Sequence, residues 1–213
     1  MHELNLKRSL YIIRHGQTDL NKQGIVQGRG VNSPINEHGI LQAKAFYENY
    51  QHIPFDRVIT STLRRTHQTV ENFIQDGIPW TQHAGLDEIS WGIYEGKYQD
   101  EEILTGFNNL IECWTNGNLD VCVENGETPN EMKVRQENAI KEILEITEGD
   151  KNVLICTHGR AMRMLLCLLT NQSYSLMDTF PHTNTALYKV DYDGSSFNID
   201  LFYNIDHLIN LEE

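Results

Sequence analysis

Three short apolar runs in this sequence each lead to a histidine or an arginine. Ser9 to Ile13 runs into Arg14-His15-Gly16, Arg57 to Thr60 into Ser61 and the tandem Arg64-Arg65, and Asn152 to Cys156 into Thr157-His158-Gly159. An imidazole can attack phosphorus only when it is neutral, and its ordinary pKa is about 6.5. Guanidinium groups nearby disfavour the imidazolium, so Arg14 and Arg65 would hold His15 neutral near pH 7. The same guanidiniums carry paired donors suited to the oxygens of a transferring phosphoryl group. His158 can donate to such an oxygen where charge spreads in the transition state. A leaving alkoxide needs a proton, and Glu88 is the candidate to give it and later to take one from water. Gly16 would leave room for a phosphate to approach closely. Of the tandem pair, spacing selects Arg65 and leaves Arg64 as solvent-facing charge, the opposite register being the alternative.

Residues that far apart need a scaffold that gathers them. Apolar residues Ile40, Ala43, Phe46, Tyr47 and Tyr50 share one helical face between Asn36 and Tyr50. Leu63 to Ile74 reads as a second helix, and residues 97–126 as a helix with loops. Thr128-Pro129-Asn130-Glu131 has the form of a capping box with proline at the first helical position, opening a helix that stops near Gly149. Arg160 to Leu169 reads as a helix after the third strand. Ala186 to Val190 and Phe197 to Tyr203 flank Asp193-Gly194 as a hairpin. Strands alternating with helices predict an α/β layer with a mainly parallel sheet, in which ligands sit outside the carboxyl ends of the strands. His15, Arg65 and His158 all fall at such ends.

Composition narrows the class. The chain has 213 residues, 39% hydrophobic and 22% charged, as in an ordinary globular protein with one sizeable core. No apolar run is long enough to span a bilayer, and the stretch from Met1 to Arg8 has no signal-type apolar segment, so a cytoplasmic location is expected. Cys113, Cys122, Cys156 and Cys167 form no C-x-x-C pair and read as reduced thiols. The nine histidines contain no H-x-H or H-x-x-x-H pair, so neither a metal nor a cofactor is called for. A net charge of −13 disfavours nucleic acid and anionic membrane as partners, and it repels anionic substrates at long range. A phosphate site must therefore be locally basic.

An ordered set of motifs carries a family resemblance. Arg14-His15-Gly16-Gln17-Thr18 resembles the R-H-G-E/Q-S/T signature of the histidine phosphatase superfamily, which includes the cofactor-dependent phosphoglycerate mutases. Asn21, Gln27-Gly28 and Ile35 to Ala43 are similar to the stretches that follow it. Ser61 to Thr66 resembles S-x-L-x-R-A, and Leu86 to Gly96 resembles L-x-E-x-x-F/Y/W-G-x-x-E-G. Gly126-Glu127-Thr128 with Arg135, and Val153 to Gly159, match further stretches in the same order. The resemblance implies a three-layer α/β/α sandwich of phosphoglycerate mutase-like fold, one domain over residues 1–213, with 97–126 as a lid insertion. It implies His15 as nucleophile, Arg14, Arg65, Glu88 and His158 as its catalytic partners, and Thr18, Asn21, Gln27, Gly28 and Gly159 as substrate-binding positions.

Several charged residues admit blander readings. Glu95 could compete with Glu88 but reads as structural, and Glu127 as orienting an arginine. Arg160 and Arg163 read as solvated or packing residues. His182-Thr183-Asn184-Thr185 fits a pocket rim and an ordinary loop equally. The expected function is hydrolysis of a small phosphorylated metabolite through a phosphohistidine. The alternatives are a phosphoglycerate mutase and a non-catalytic phosphate-binding module. The mutases resembled carry a lid rich in positive residues, whereas 97–126 has only Lys97, which favours hydrolysis. A homodimer is compatible with the sequence, which does not determine the oligomeric state.

Overall fold

Side chains alternate across a strand, so a run as apolar as Leu10-Tyr11-Ile12-Ile13 has to be covered on both faces. The computed structural model describes residues 7–211 and shows this. Residues 1–6, most of the stretch read above as free of a signal segment, lie outside the described residues, as do 212 and 213. Leu10 and Ile12 enter one apolar cluster, Tyr11 and Ile13 the other. The strands are β1 (Arg8–Arg14), β2 (Arg57–Thr60), β3 (Trp80–Gln82), β4 (Asn152–Thr157), β5 (Leu187–Tyr192) and β6 (Phe197–Asn204), in the order β3-β2-β4-β1-β5-β6. The pairs β3–β2, β2–β4 and β4–β1 are parallel, whereas β5 and β6 add an antiparallel edge. The mainly parallel sheet agrees with expectation; β3, short and half-exposed, carries no apolar pattern that would announce it.

The helices are α1 (Asp19–Lys22), α2 (Glu37–Tyr50), α3 (Arg64–Thr69), α4 (Glu71–Gln75), α5 (Glu101–Thr115), α6 (Pro129–Ile146) and α7 (Gly159–Leu169). One face of the sheet packs on α5, α6 and α7 through residues such as Trp114, Met132, Ile143 and Leu165. The other packs on α2 and α4 through Phe46 and Phe73. This is a three-layer α/β/α arrangement, and among the described residues no helix is long and apolar enough to cross a membrane. The capping box forms at Thr128, whose side chain accepts from the N–H of Glu131 while the Glu131 carboxylate accepts from the Thr128 N–H. Two expectations need correction. The helix read over 63–74 breaks at Val70, whose φ of −112° and ψ of 15° leave the helical region before α4 begins. Ile40, placed on the buried face of α2, is 56% exposed; Gly39 and Gln42 take that side instead, because they meet the loop after β1.

His207, in a short 3-10 turn near the C-terminal end, packs on Phe46 and Tyr50 at ring-centroid distances of 5.3 and 5.8 Å. Burial, partly opposed by Asp206, lowers its pKa to about 4. A histidine depressed in this way binds its proton in the unfolded chain before it does so in the folded one. Its contribution is fully present above about pH 6.5 and is lost as pH falls through about 4. Between pH 7.5 and pH 5, the unfolding free energy from urea titrations should therefore fall more for the wild type than for His207→Gln, by on the order of 1–2 kcal/mol. Parallel losses in the two proteins would show that His207 is not held neutral.

Candidate active site

Strands β2, β4 and β1 are neighbours, so their carboxyl ends deliver Ser61, Thr157-His158 and Arg14-His15 to one edge of the sheet. The loop after β1 is tied at successive polar atoms. The His15 N–H donates to the Thr157 carbonyl at 2.9 Å, and the His15 carbonyl accepts from the Asn184 side chain at 2.8 Å. The Gly16 N–H donates to Thr69 Oγ1, and the Gln17 N–H to Gln42 Oε1. Gly16 does not face the pocket as expected: a methyl group there would meet the Gly39 carbonyl at 2.7 Å, and one on Gly39 would collide with the Gln17 carbonyl. The two glycines let the start of α2 press directly on the loop that carries His15.

His15 is 3% exposed. Its Nδ1 lies 2.7 Å from the Gly16 carbonyl, an acceptor only, so Nδ1 carries the proton and Nε2 is left with its lone pair. Burial foremost, then the guanidiniums of Arg65 and Arg14, hold its pKa well below the ordinary value. The arginines act as expected, but desolvation leads. Burial also brings both arginines down to about 10, against the raising influence of Glu88, so each stays cationic at neutral pH.

Arg65 is fully buried and Arg64 exposed, as the spacing indicated. Arg65 donates through Nη1 to the Val31 carbonyl and through Nε to Nδ1 of His158 at 3.1 Å. With Nδ1 accepting, His158 carries its proton on Nε2 and gives it to Ser61 Oγ at 2.7 Å. Both nitrogens of His158 are engaged by the protein, and the ring would reach a phosphoryl oxygen only by giving up Ser61. Its ring stands 5.2 Å from that of His15, centroid to centroid, and it too is held neutral by burial and by Arg65.

Glu88 lies across the first turn of α7. Oε1 accepts from the N–H groups of Ile89 and Ala161, and Oε2 accepts from that of Arg160 at 3.1 Å. Oε2 thus has a single N–H partner. Glu88 is 7% exposed yet borders the pocket. Glu127 grips Arg135 with both oxygens, at 2.6 and 2.9 Å, and Arg135 in turn holds the carbonyls of Gly85 and Glu88. Glu127 thus orients an arginine, as read from sequence. Glu95 accepts from the Trp91 N–H, and its carboxylate fills the space that side chains on Gly28 and Gly30 would need.

A pocket of about 430 Å³ opens over this floor. Its polar lining comes from Arg14, His15, Glu88, Asn21, Gln27, Gly159 and, beyond the expected set, Arg160 and His182. Arg14 anchors Nη1 on the His182 carbonyl at 2.7 Å, while its buried Nε has no partner. Thr18 and Gly28, expected at the substrate, are not among the residues that line the pocket. Thr18 is sealed behind the wall, accepting from Asn21 and from Gln27 Nε2, and the Gly28 carbonyl accepts from Arg65 at 3.4 Å. Leu104, Phe107 and Asn108 of α5, with Gln99 before it, form one side of the pocket. Segment 24–26 is stitched to 96–99 by main-chain bonds, and Phe107 and Trp114 pack on Trp91 at 4.8 and 5.8 Å. Arg160 had one legible signal, its place directly after His158-Gly159 at the same sheet edge; Asn184 belongs to the stretch 182–185 read as either a pocket rim or an ordinary loop, and His182 in the pocket lining with Asn184 on the His15 carbonyl brings that stretch to the site.

Comparison with known proteins places this geometry. A family model described as the histidine phosphatase superfamily (branch 1) matches residues 10–205. A broad-specificity phosphatase of Saccharomyces cerevisiae is 31% identical, covering 93% of this chain and 86% of that protein. The probable phosphoglycerate mutase GpmB of Klebsiella pneumoniae is 28% identical, covering 87% of this chain and 86% of that one. Among solved structures, YhfR of Bacillus stearothermophilus superposes with a TM-score of 0.82 at 24% identity over 94% of this chain and 99% of its own. A mycobacterial glucosyl-3-phosphoglycerate phosphatase has a TM-score of 0.80 at 20% identity over 93% and 100%, and these structures share the fold.

Nitrogen-15 NMR at pH 6 tests the two ring assignments. His15 should appear as the neutral form protonated on Nδ1, and His158 as the neutral form protonated on Nε2. Imidazolium signals from either, or a bare Nδ1 on His15, would contradict the hydrogen bonds described.

Proposed function

The chain belongs to branch 1 of the histidine phosphatase superfamily, and we propose that it is a phosphomonoester hydrolase acting through a phosphohistidine on Nε2 of His15. The observation that carries this reading is a buried donor without a partner, Nε of Arg14, beside an imidazole nitrogen with a free lone pair. A buried unpaired N–H costs about 1–3 kcal/mol, and a phosphoryl oxygen would satisfy it. The broad-specificity yeast phosphatase supports the same reading.

In the first half-reaction Nε2 attacks phosphorus and the ester P–O bond breaks. Glu88 gives its proton to the departing oxygen, and the alcohol leaves. The Nδ1–H bond to the Gly16 carbonyl steadies the positive charge that the ring acquires. Arg14 and Arg65 carry the phosphoryl charge, with His158 and the carbonyls of Val31 and Gly28 fixing the Arg65 guanidinium. In the second half Glu88, now a carboxylate, takes a proton from water as its oxygen attacks phosphorus. The P–N bond breaks, its electron pair returns to Nε2, and inorganic phosphate departs. Asn21, Gln27 and Gly159 border the phosphate position.

The reading takes the chain as one domain with residues 97–126 as its lid, acting on small phosphorylated metabolites in the cytoplasm. Hydrolysis is favoured over a mutase reaction by what the lid brings to the pocket. Gln99, Leu104, Phe107 and Asn108 line it, and none is a cation that would hold a substrate for return of the phosphoryl group.

With para-nitrophenyl phosphate as substrate, His15→Ala should abolish turnover together with an acid-labile, base-stable phosphoryl label on the protein. Glu88→Gln should slow turnover by about 10²–10⁴-fold, the usual range for a lost general acid–base group. It should leave phosphate binding largely intact, since the side chain donates a proton and does not grip phosphate. Activity should persist in excess chelator. Near-wild-type turnover by His15→Ala would end the proposal, and chelator inactivation reversed by Mg²⁺ would show that the arginines do not carry the charge unaided.

A further inference from the structure

The loop that leads into β5 grips the Arg14-His15 pair from several sides. The His182 carbonyl accepts from Nη1 of Arg14 at 2.7 Å, the Asn184 side chain donates to the His15 carbonyl at 2.8 Å, and the Thr185 N–H donates to the Arg14 carbonyl at 3.0 Å. These contacts fix the main chain on either side of the His15 Cα, together with the guanidinium beside it.

They depend on an unusual turn. The Ala186 N–H donates to the Thr183 carbonyl at 3.0 Å and closes a turn whose third residue, Thr185, has a φ of 57°. Glycine or asparagine ordinarily fills such a position, and a β-branched residue in the left-handed region is a genuine outlier. Asn125 and Asn171, also left-handed, are of the tolerated type and do not line the pocket. Thr185 is fully buried, and its hydroxyl is hydrogen-bonded to Nε2 of His207 at 3.0 Å. His207 is wedged against Phe46 and Tyr50 of α2, and its Nδ1 has no partner, so the Thr185 hydroxyl is the polar contact of its ring among the described residues. The Thr183 hydroxyl meets that of Tyr203 at 2.6 Å, so β6 braces the same loop. Strain of this kind persists only where the surroundings over-determine it, and it concentrates at functional sites. A glycine would make the turn without strain but would carry no hydroxyl for His207.

We propose that Thr185 is a positioning residue for the phosphoryl-transfer step: its hydroxyl, anchored on His207, locks the left-handed turn through which the loop before β5 holds the main chain of Arg14 and His15 in its reactive geometry. This rests on the hydrolase reading of the pocket. Misplacing a reacting group by about 1 Å can cost on the order of 10²-fold in rate. An anion would still be bound by Arg65, which is fixed through Val31, Gly28 and His158 instead.

Thr185→Val keeps the β-branched shape and removes the hydroxyl. With para-nitrophenyl phosphate its kcat should fall tenfold or more, while the inhibition constant of inorganic phosphate changes threefold or less. Thr185→Ser, which restores the hydroxyl, should bring kcat back to within threefold of the wild type. His207→Phe should lower kcat as Thr185→Val does, and should lower it less than twofold further in the valine background, since the two groups act as one. If the valine variant does not fold, Thr185→Gly decides the matter: it adopts the turn freely, lacks the hydroxyl, and should lose kcat tenfold. A kcat within threefold of the wild type in the folded valine or glycine variant, equal losses in kcat and phosphate affinity, or additive effects of Thr185→Val and His207→Phe would overturn the assignment. Nitrogen-15 NMR of the free protein reads the same point without turnover. The Nδ1–H signal of His15 should shift or broaden in Thr185→Val and coincide with the wild type in Thr185→Ser; an unchanged signal in the valine variant would also overturn it. Failure of the wild type to hydrolyse the ester would count against the hydrolase reading alone.

Discussion

The hydrogen bond from Nδ1 of His15 to the carbonyl of Gly16, 2.7 Å long, leaves Nε2 as the ring nitrogen with a free lone pair. It works only if that carbonyl is held still, and much of the surrounding structure serves this end. Thr69 Oγ1 takes the Gly16 N–H and passes its own proton to the Arg65 carbonyl, which couples the nucleophile loop to α3. Gly39 and Gly16 remove the side chains that would keep α2 away from the loop. Burial then keeps the ring neutral, a stronger influence than the two guanidiniums at its side.

The second reactive group is placed by main chain rather than by side chains. Glu88 spans the start of α7, accepting from the main-chain N–H groups of Arg160 and Ala161, which otherwise have no partner within the helix. From the other direction, Glu127 and Arg135 fix the Glu88 carbonyl. His15, just after β1, and Glu88, in the loop that follows β3, thus come from separate parts of the chain and border one pocket. The net charge of −13 makes this local order necessary, because the protein as a whole repels the anions that its pocket is shaped to hold.

Much of this was legible from sequence where the signal is local. Arg14-His15, Arg65 and His158 each end a short apolar run, and parallel strands place such ends on one edge. The capping box at Thr128 and the hairpin at Asp193-Gly194 are likewise written within a few residues. What escaped depends on contacts between distant segments. Gly16 looked like a phosphate contact, but its freedom serves Gly39. Thr18 and Gly28 lie at matching positions yet sit behind the wall. His158 looked free to donate, and only the folded chain shows Arg65 and Ser61 on its two nitrogens. The break at Val70 and the exposure of Ile40 were hidden for the same reason: helical periodicity records which faces are apolar, not which neighbour each face meets.

The strand that carries the nucleophile lies in the middle of the sheet, with Leu10 paired to Val153 on one side and to Val190 on the other. Both neighbours are made long after it. During synthesis β1 emerges early and has no paired strand until β4 and β5 have followed. A chain stopped before residue 150 would carry His15, Arg65 and Glu88 and still have no active site, since β1 would have nothing beside it. The order of strands therefore ties the appearance of activity to near-completion of the polypeptide. It also gives a fold rich in contacts between remote residues, which form late and slowly.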